Sequence, residues 1–257
     1  NRNSYAMFEI GGVRRDIENS KIPEIRKVLA LLKKKTDLLV GAVMDDPVIH
    51  ARTKGVGVLT EQDIIDFAAV GPTARASGVD IDVRRDDPYA AYPLVDWKVI
   101  TATAGDVFAK AEVRLLEMYE SVSIIDQCLD GLLKEKEGDT EVKVKYIPEG
   151  YGTGRAEAPR GEVFHFVVSD GSNSPVRHKI RAPSYTNIAT FKKSCIGQSI
   201  SDATISLAAV DPCYCCTERL AVALDSSSGR RIMNAREIIE HSAQRTQKLL
   251  KHVNTRS

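Results

Sequence analysis

The hydrophobic pattern of this 257-residue chain changes period once, near Glu141, and that change restricts the folds open to it. Before it, apolar residues recur every three to four positions; after it, they alternate with polar ones. Between residues 22 and 40, Ile25, Val28, Leu29, Leu32 and Leu39 mark one face of a helix, with Pro23 in a first turn that tolerates proline. Thr60-Glu61-Gln62-Asp63 has the form of a capping box ahead of Ile64, Ile65 and Phe67. Asp106 is placed to cap a long helix reaching about residue 133, with Val113, Leu116, Met118, Val122, Ile125 and Leu129 facing inward. After the change, Val142, Val144 and Tyr146 lie between charged residues and predict a half-buried strand. Residues 161–168 and 175–180 predict two more, joined through Asp170-Gly171-Ser172-Asn173. Helices are expected at 186–195 and 201–210. The expected fold is α+β, mainly helical, with a small antiparallel β element.

Three other stretches are less regular. Residues 71–93 are rich in Gly, Pro, Asp and Arg without any period, which predicts a long loop carrying Arg84 and Arg85 at the surface. Beyond 219 come an expected apolar strand at 220–224, a serine turn at 226–229 and a polar amphipathic helix at 234–253. Gly55-Val56-Gly57 is too short to imply phosphate binding, and no Walker or dinucleotide fingerprint follows a strand.

Composition excludes several classes of function. The formal net charge is +1, so no global field draws the chain to nucleic acid or an acidic membrane surface. Five cysteines, odd in number and clustered, argue against a secreted disulfide framework and for a reducing cytoplasm. No apolar run approaches the ~20 residues of a membrane helix, so membrane association is expected through partners, without direct insertion. The chain starts at Asn1 with no methionine or signal peptide, and is expected to be part of a longer protein.

Chemistry concentrates in Asp211-Pro212-Cys213-Tyr214-Cys215-Cys216-Thr217-Glu218-Arg219. Three thiols within four positions are either soft-metal ligands or a redox pair. Cys213 and Cys216 have the Cys-x-x-Cys spacing that lets two thiolates meet one ion. Two further segments end predicted strands: Glu157-Ala158-Pro159-Arg160-Gly161 and Arg181-Ala182-Pro183-Ser184-Tyr185. Each can aim backbone amides, a guanidinium or a hydroxyl into a shared cavity.

Glu157-Ala158-Pro159-Arg160-Gly161 followed by His165, Arg181-Ala182-Pro183-Ser184, and Asp211-Pro212-Cys-x-x-Cys occur here in one order. Together they resemble the catalytic large subunit of [NiFe]-hydrogenases. Gly11-Gly12-Val13-Arg14-Arg15-Asp16, Thr53-Lys54-Gly55-Val56-Gly57-Val58, Gly71-Pro72, Arg75-Ala76-Ser77-Gly78 and Asp87-Pro88-Tyr89 resemble the branch shared by energy-converting, membrane-associated hydrogenases and respiratory complex I. The complex I homologue lacks the nickel cysteines. Retention of Cys213 and Cys216 is thus similar to hydrogenases of the Ech, carbon-monoxide-induced or formate-hydrogenlyase kind.

The resemblance implies a [NiFe]-hydrogenase large-subunit fold and reversible heterolytic cleavage of dihydrogen. Cys213 is implied as a terminal nickel ligand and proton acceptor, and Cys216 as a nickel–iron bridge. Arg160 would overhang the open metal position, and Pro159, Pro183 and Ser184 would line the iron's diatomic ligands. Asp211 would tune the Arg160 charge. The implied cofactor is a nickel–iron centre with two cyanides and one carbonyl, its electrons leaving to an iron–sulfur cluster in a separate small subunit. Membrane ion-translocating subunits and a maturation protease are the other implied partners, placing the complex peripherally on the cytoplasmic face of the cell membrane.

Two departures qualify that expectation. The family's first cysteine pair, Arg-x-Cys-Gly-x-Cys, does not occur here, so the chain supplies two of four thiolates and is expected to be inactive alone. Cys128 and Cys195 lie in predicted helices without a Cys-x-x-Cys partner and read as small buried residues. Residues 220–257 lie where a cleavable extension would be, which divides the chain into a 1–219 core and a tail, with Arg219–Leu220 as the expected processing bond. A quinone-pocket or electron-transfer subunit without nickel, and a structural zinc–cysteine module, are the competing alternatives. His165 reads as a satisfied strand histidine.

Overall fold

The computed structural model describes residues 7–9, 11–135 and 138–217, and positions 236, 237, 239, 240, 243, 244 and 247 of the C-terminal region. The chain divides into two compact units, Asn1–Thr217 and Glu218–Ser257. The described positions of the second unit are helical. The expected strand at 220–224, the serine turn and the Arg219–Leu220 bond lie outside the described residues.

The first unit begins with two short paired strands, β1 (Phe8–Glu9) and β2 (Gly12–Val13). Helix α1 (Ile22–Met44) follows, with proline in its first turn as expected. It packs antiparallel against α6 (Val107–Lys134): Arg26 pairs with Asp126 and Asp130 at one end, and Tyr119 donates to Asp37 at the other. Ile22, Leu29 and Leu129 are buried between them, with Ile25 and Leu132 at the edge. Asp106 caps α6, accepting the Ala109 amide at 2.8 Å. The seam is narrower than the periodicity suggests, since Val28, Leu32, Leu39 and Ile125 are exposed.

Between these two in sequence lie short helices: α2 (Pro47–Thr53), α3 (Glu61–Phe67), α4 (Pro72–Arg75) and α5 (Val83–Asp86). The Thr60–Asp63 capping box forms as expected; Ile64 is buried and Ile65 exposed. Residues 71–93 do not form the expected surface loop. Residues 71–77 are all buried, and the stretch contains α4, α5 and a 3₁₀ turn at Tyr92–Leu94. An element covered on every side has no periodic face, and here small residues pack while charges pair, so a period search fails. Arg85 is exposed as expected, whereas Arg84 is only partly so. The Arg84 guanidinium pairs with Asp82 at 2.6 Å and lies 4.7 Å from the Trp97 ring centre.

The sheet is antiparallel in the order β3 (Glu149–Ala158), β4 (Gly161–Asp170), β5 (Arg177–Arg181). The β4–β5 hairpin turns where the Asp-Gly-Ser-Asn segment predicts. The strand expected at Val142–Tyr146 does not form: Val142, Val144 and Tyr146 are exposed, and only Glu141 bridges, to Gly12. Its backbone pairs only at the start, where the Val142 amide donates to the Gly11 carbonyl beside β2, and no apolar layer covers its side chains, so alternation alone is insufficient. The first strand of the sheet lies just downstream instead, in a glycine-rich segment. The helix expected at 186–195 starts earlier and is broken into α7 (Pro183–Asn187), a 3₁₀ turn (Ile188–Thr190) and α8 (Phe191–Cys195). Helices α9 (Ile200–Val210) and α10 (Tyr214–Thr217) complete the unit. Among the described residues, no helix is long and apolar enough to cross a membrane.

Candidate functional site

Arg160 sits on a two-residue turn. Ala158 pairs with Gly161 at the end of β3 and β4, leaving Pro159 and Arg160 to reverse the chain. Gly71 and Gly161 touch beside this turn. A Cβ on Gly71 would overlap the Arg160 carbonyl, and one on Gly161 would stand 2.6 Å from the Gly71 nitrogen. Both glycines have positive φ, +67° and +124°, so close approach and backbone shape require the same residue. Asn187 of α7 closes the contact, its Nδ2 donating to the Arg160 carbonyl at 2.9 Å and its Oδ1 accepting the Val70 amide at 2.9 Å.

From that turn the guanidinium reaches Asp211, the residue that ends α9. Arg160 Nη2 donates to the Asp211 carboxylate at 2.8 Å and Nε to its carbonyl at 3.0 Å. Two residues on, the Cys213 amide donates to the Ser184 hydroxyl at 3.2 Å, and Ser184 is fully buried. Pro183 is buried beside it in the first turn of α7, whereas Pro159 is exposed. The residues singled out in the sequence therefore meet: Arg160, Pro183, Ser184, Asp211, Cys213 and Cys216 lie on four elements that come together here.

The two thiols differ. The Cys216 amide holds the Cys213 thiol below its ordinary range, against a burial cost and with help from the Cys216 side chain, the Cys215 amide and Arg160. Burial pushes Cys216 up, and the neighbouring Cys213 adds to this. Cys213 is thus the readier thiolate, the form that binds a soft metal. As a test of fit, the pair supplies two donors suited to nickel, and among the described residues no third His, Cys, Asp or Glu joins them in a metal-holding cluster. The donors fit one half of a four-thiolate centre. All five cysteines are free, Cys128 within α6 and Cys195 at the end of α8. His165 is engaged by His178, Nδ1 to Nε2 at 2.8 Å, where burial and the second ring lower its pKa.

Periodicity missed the charges behind the turn. Arg75, only 1% exposed, pairs with Glu117 and Glu157 at 2.8 Å and with Asp82 at 3.3 Å. Burial raises the Glu157 pKa while Arg75 opposes it. Arg114 is one helical turn before Glu117 on α6, and burial lowers its pKa against the attraction of Asp211. With Glu117, Glu157, Pro159 and Asp211 it lines a cavity of about 350 Å³. Glu157 and Arg75 stand inside the recognised motifs; nothing in the sequence marked Arg114 or Asn187.

The family described as respiratory-chain NADH dehydrogenase, 49 Kd subunit, matches residues 1–147 and 139–219. One of the NADH-quinone oxidoreductase subunits of Herpetosiphon aurantiacus is 37% identical over 81% of this chain and 57% of its own length. Membrane-bound hydrogenase subunit alpha of Pyrococcus furiosus is 32% identical over 97% of this chain and 61% of its own. The carbon monoxide-induced hydrogenase of Rhodospirillum rubrum is 35% identical over 85% and 60%. The chain thus spans about three fifths of these relatives. A chain in the solved structure of the membrane-bound sulfane sulfur reductase, an archaeal respiratory membrane complex, shares the fold with a TM-score of 0.76 and 30% identity, covering 81% of this chain and 58% of that one. Matched in sequence across nearly all of the first unit and alike in fold, this chain belongs to the family of the respiratory-chain NADH dehydrogenase 49 kDa subunit.

Proposed function

We propose that the chain serves in the catalytic subunit of an energy-converting [NiFe]-hydrogenase, interconverting dihydrogen with two protons and two electrons. The observation that carries this reading is the convergence of the Cys213–Cys216 pair with the Arg160–Asp211 contact and the buried Ser184 hydroxyl. Relatives named as hydrogenases in Pyrococcus furiosus and Rhodospirillum rubrum, and one named formate hydrogenlyase subunit 5 in Escherichia coli, support it. Cys213 and Cys216 would hold a nickel–iron centre together with two further thiolates, and the centre, when bound, supplies heterolytic cleavage of dihydrogen.

The rest is work for this chain's own groups. Asp211, bonded twice to Arg160, fixes the direction of that permanent charge. Arg160 adds an electrostatic hold on polar ligands and on charge developing beside Cys213. The Cys213 thiolate accepts the proton released, its basicity moderated by the Cys216 amide. Ser184 presents a buried hydroxyl for a bound cyanide while also accepting the Cys213 amide. Electrons would leave through an iron–sulfur cluster in a small subunit. Membrane subunits would hold the complex at the membrane, as the name of the membrane-bound relative suggests, and in this reading on its cytoplasmic face.

A second reading, a quinone-reducing subunit without nickel, is favoured by the equally similar NADH-quinone oxidoreductase relatives. Nickel analysis and dihydrogen-dependent dye reduction of the complex purified from its native membranes separate the two. Stoichiometric nickel with dye reduction supports the hydrogenase. Quinone reduction without nickel replaces it with the second reading, and bound zinc with neither activity would leave a structural cysteine module.

A further inference from the structure

We propose that Asn187 is the positioning residue that sets where the Arg160 guanidinium stands relative to Cys213, a role that rests on the hydrogenase reading above. Asn187 is 1% exposed, and its amide is fully engaged. Oδ1 accepts the Val70 amide at 2.9 Å, while Nδ2 donates to the Val70 carbonyl at 3.2 Å and the Arg160 carbonyl at 2.9 Å. The main-chain groups of Val70 fix which way the amide points, because its N–H needs an acceptor and its C=O a donor.

The location gives this contact its meaning. Asn187 lies three residues after Ser184, so one turn of α7 carries both. Ser184 receives the Cys213 amide at 3.2 Å, and Asn187 holds the Arg160 carbonyl. A single rigid turn therefore spans the interval between the cysteine segment and the arginine. The Gly71–Gly161 contact blocks the turn from moving toward α4, and Asp211 holds only the far end of the side chain. Asn187 is the polar side chain that ties the backbone of Arg160 to the helix bearing Ser184. An apolar residue of equal volume would fill the space but leave the Val70 amide and the Val70 and Arg160 carbonyls without this partner, so the amide both satisfies Val70 and makes the tie to Arg160.

The test is a double-mutant cycle in the assembled complex, with Asn187→Asp, Arg160→Lys and the pair. Asn187→Asp keeps the volume and the acceptor for Val70 but removes both donors. The expected result is a fall in dihydrogen turnover of about 10²-fold for each single variant at unchanged nickel content, the scale of a 1 Å misplacement. The double variant should then be no slower than Arg160→Lys alone, because the asparagine acts through the arginine. Wild-type turnover in Asn187→Asp, or factors that multiply in the double variant, would overturn the role. Should Asn187→Asp fail to assemble, Asn187→Ser gives the same cycle without adding a charge. A wild type with neither nickel nor turnover removes the hydrogenase reading and this role with it, an outcome distinct from a working wild type with a multiplicative cycle.

Discussion

The Arg160 guanidinium meets Asp211 at two points, the carboxylate at 2.8 Å and the main-chain carbonyl at 3.0 Å. Asp211 ends α9 in the left-handed region, at φ +57°, where many helices place glycine. Aspartate tolerates that conformation better than most residues. One residue thus stops the helix and anchors the arginine.

Asp211→Gly should therefore separate the two duties. Glycine suits the backbone and keeps the carbonyl, while the lost ion pair is partly exposed and worth about 0–1 kcal/mol. Stability of the complex should stay within about 1 kcal/mol by denaturant titration, while dihydrogen turnover falls about 10²-fold because Arg160 loses its direction. Unchanged turnover would remove Asp211 from the site.

Gly71→Ala should be far worse than Gly55→Ala. At Gly55, φ +72°, a Cβ meets nothing within 4 Å, so only backbone strain of about 1–2 kcal/mol is expected. Gly71 has φ +67° and ψ −150°, a region nearly closed to other residues, with strain of about 1–3 kcal/mol before any overlap. Its Cβ also overlaps the Arg160 carbonyl, so Gly71→Ala should lower Tm more and turnover as well. Equal effects of the two variants would show that the glycine contact does not hold the turn.

Arg75→Leu should destabilise the protein by about 3–5 kcal/mol, because it leaves the buried Glu157 carboxylate without its guanidinium, while Asp82 keeps Arg84. Adding Glu157→Gln should restore part of that loss, since the buried charge goes with it. A simple sum of the two costs in denaturant titrations would contradict this.

Much of the fold is legible in the sequence because it follows local rules. Asp106, the Thr60–Asp63 box and Pro23 announce helix starts, and the Asp170–Asn173 turn announces a hairpin. The motif residues Arg160, Ser184, Asp211 and Cys213 are legible as a set only through family resemblance, since they lie far apart in sequence. Their direct contacts follow from strand register and helix ends, which sequence spacing does not give. The 71–93 stretch escapes a search for periods because its order comes from buried ion pairs such as Arg75–Glu157, which join residues 82 positions apart. Val142 to Tyr146 misleads for the opposite reason: a good local pattern meets β2 only at its first residues and is exposed beyond them. Asn187 carries no signal at all, because an isolated asparagine shows its role only once its three partners are known.

Lys110 makes a pH-dependent contribution. Its ammonium is buried, donating to the Gly57 and Gly105 carbonyls at 2.9 and 2.8 Å, and burial lowers its pKa from 10.5 to about 8, with Asp106 opposing. Between about pH 8 and 10.5 the unfolded chain binds more protons than the folded one, so stability from this group rises with pH there. Below about pH 8 both states are protonated, and the burial cost stands in full. Denaturant titrations should show this rise in the wild type and a flatter curve for Lys110→Met. Parallel curves would place the Lys110 pKa at its ordinary value.

In the proposed hydrogenase, Cys213 and Cys216 would hold nickel beside Arg160. The most direct measurement is nickel content with infrared spectra of the intact, matured complex, for the wild type and for Cys213→Ser. Stoichiometric nickel with cyanide and carbonyl bands in the wild type, both lost in the variant, is the predicted result. A matured wild type without nickel, or a variant that keeps nickel at full occupancy, would contradict it.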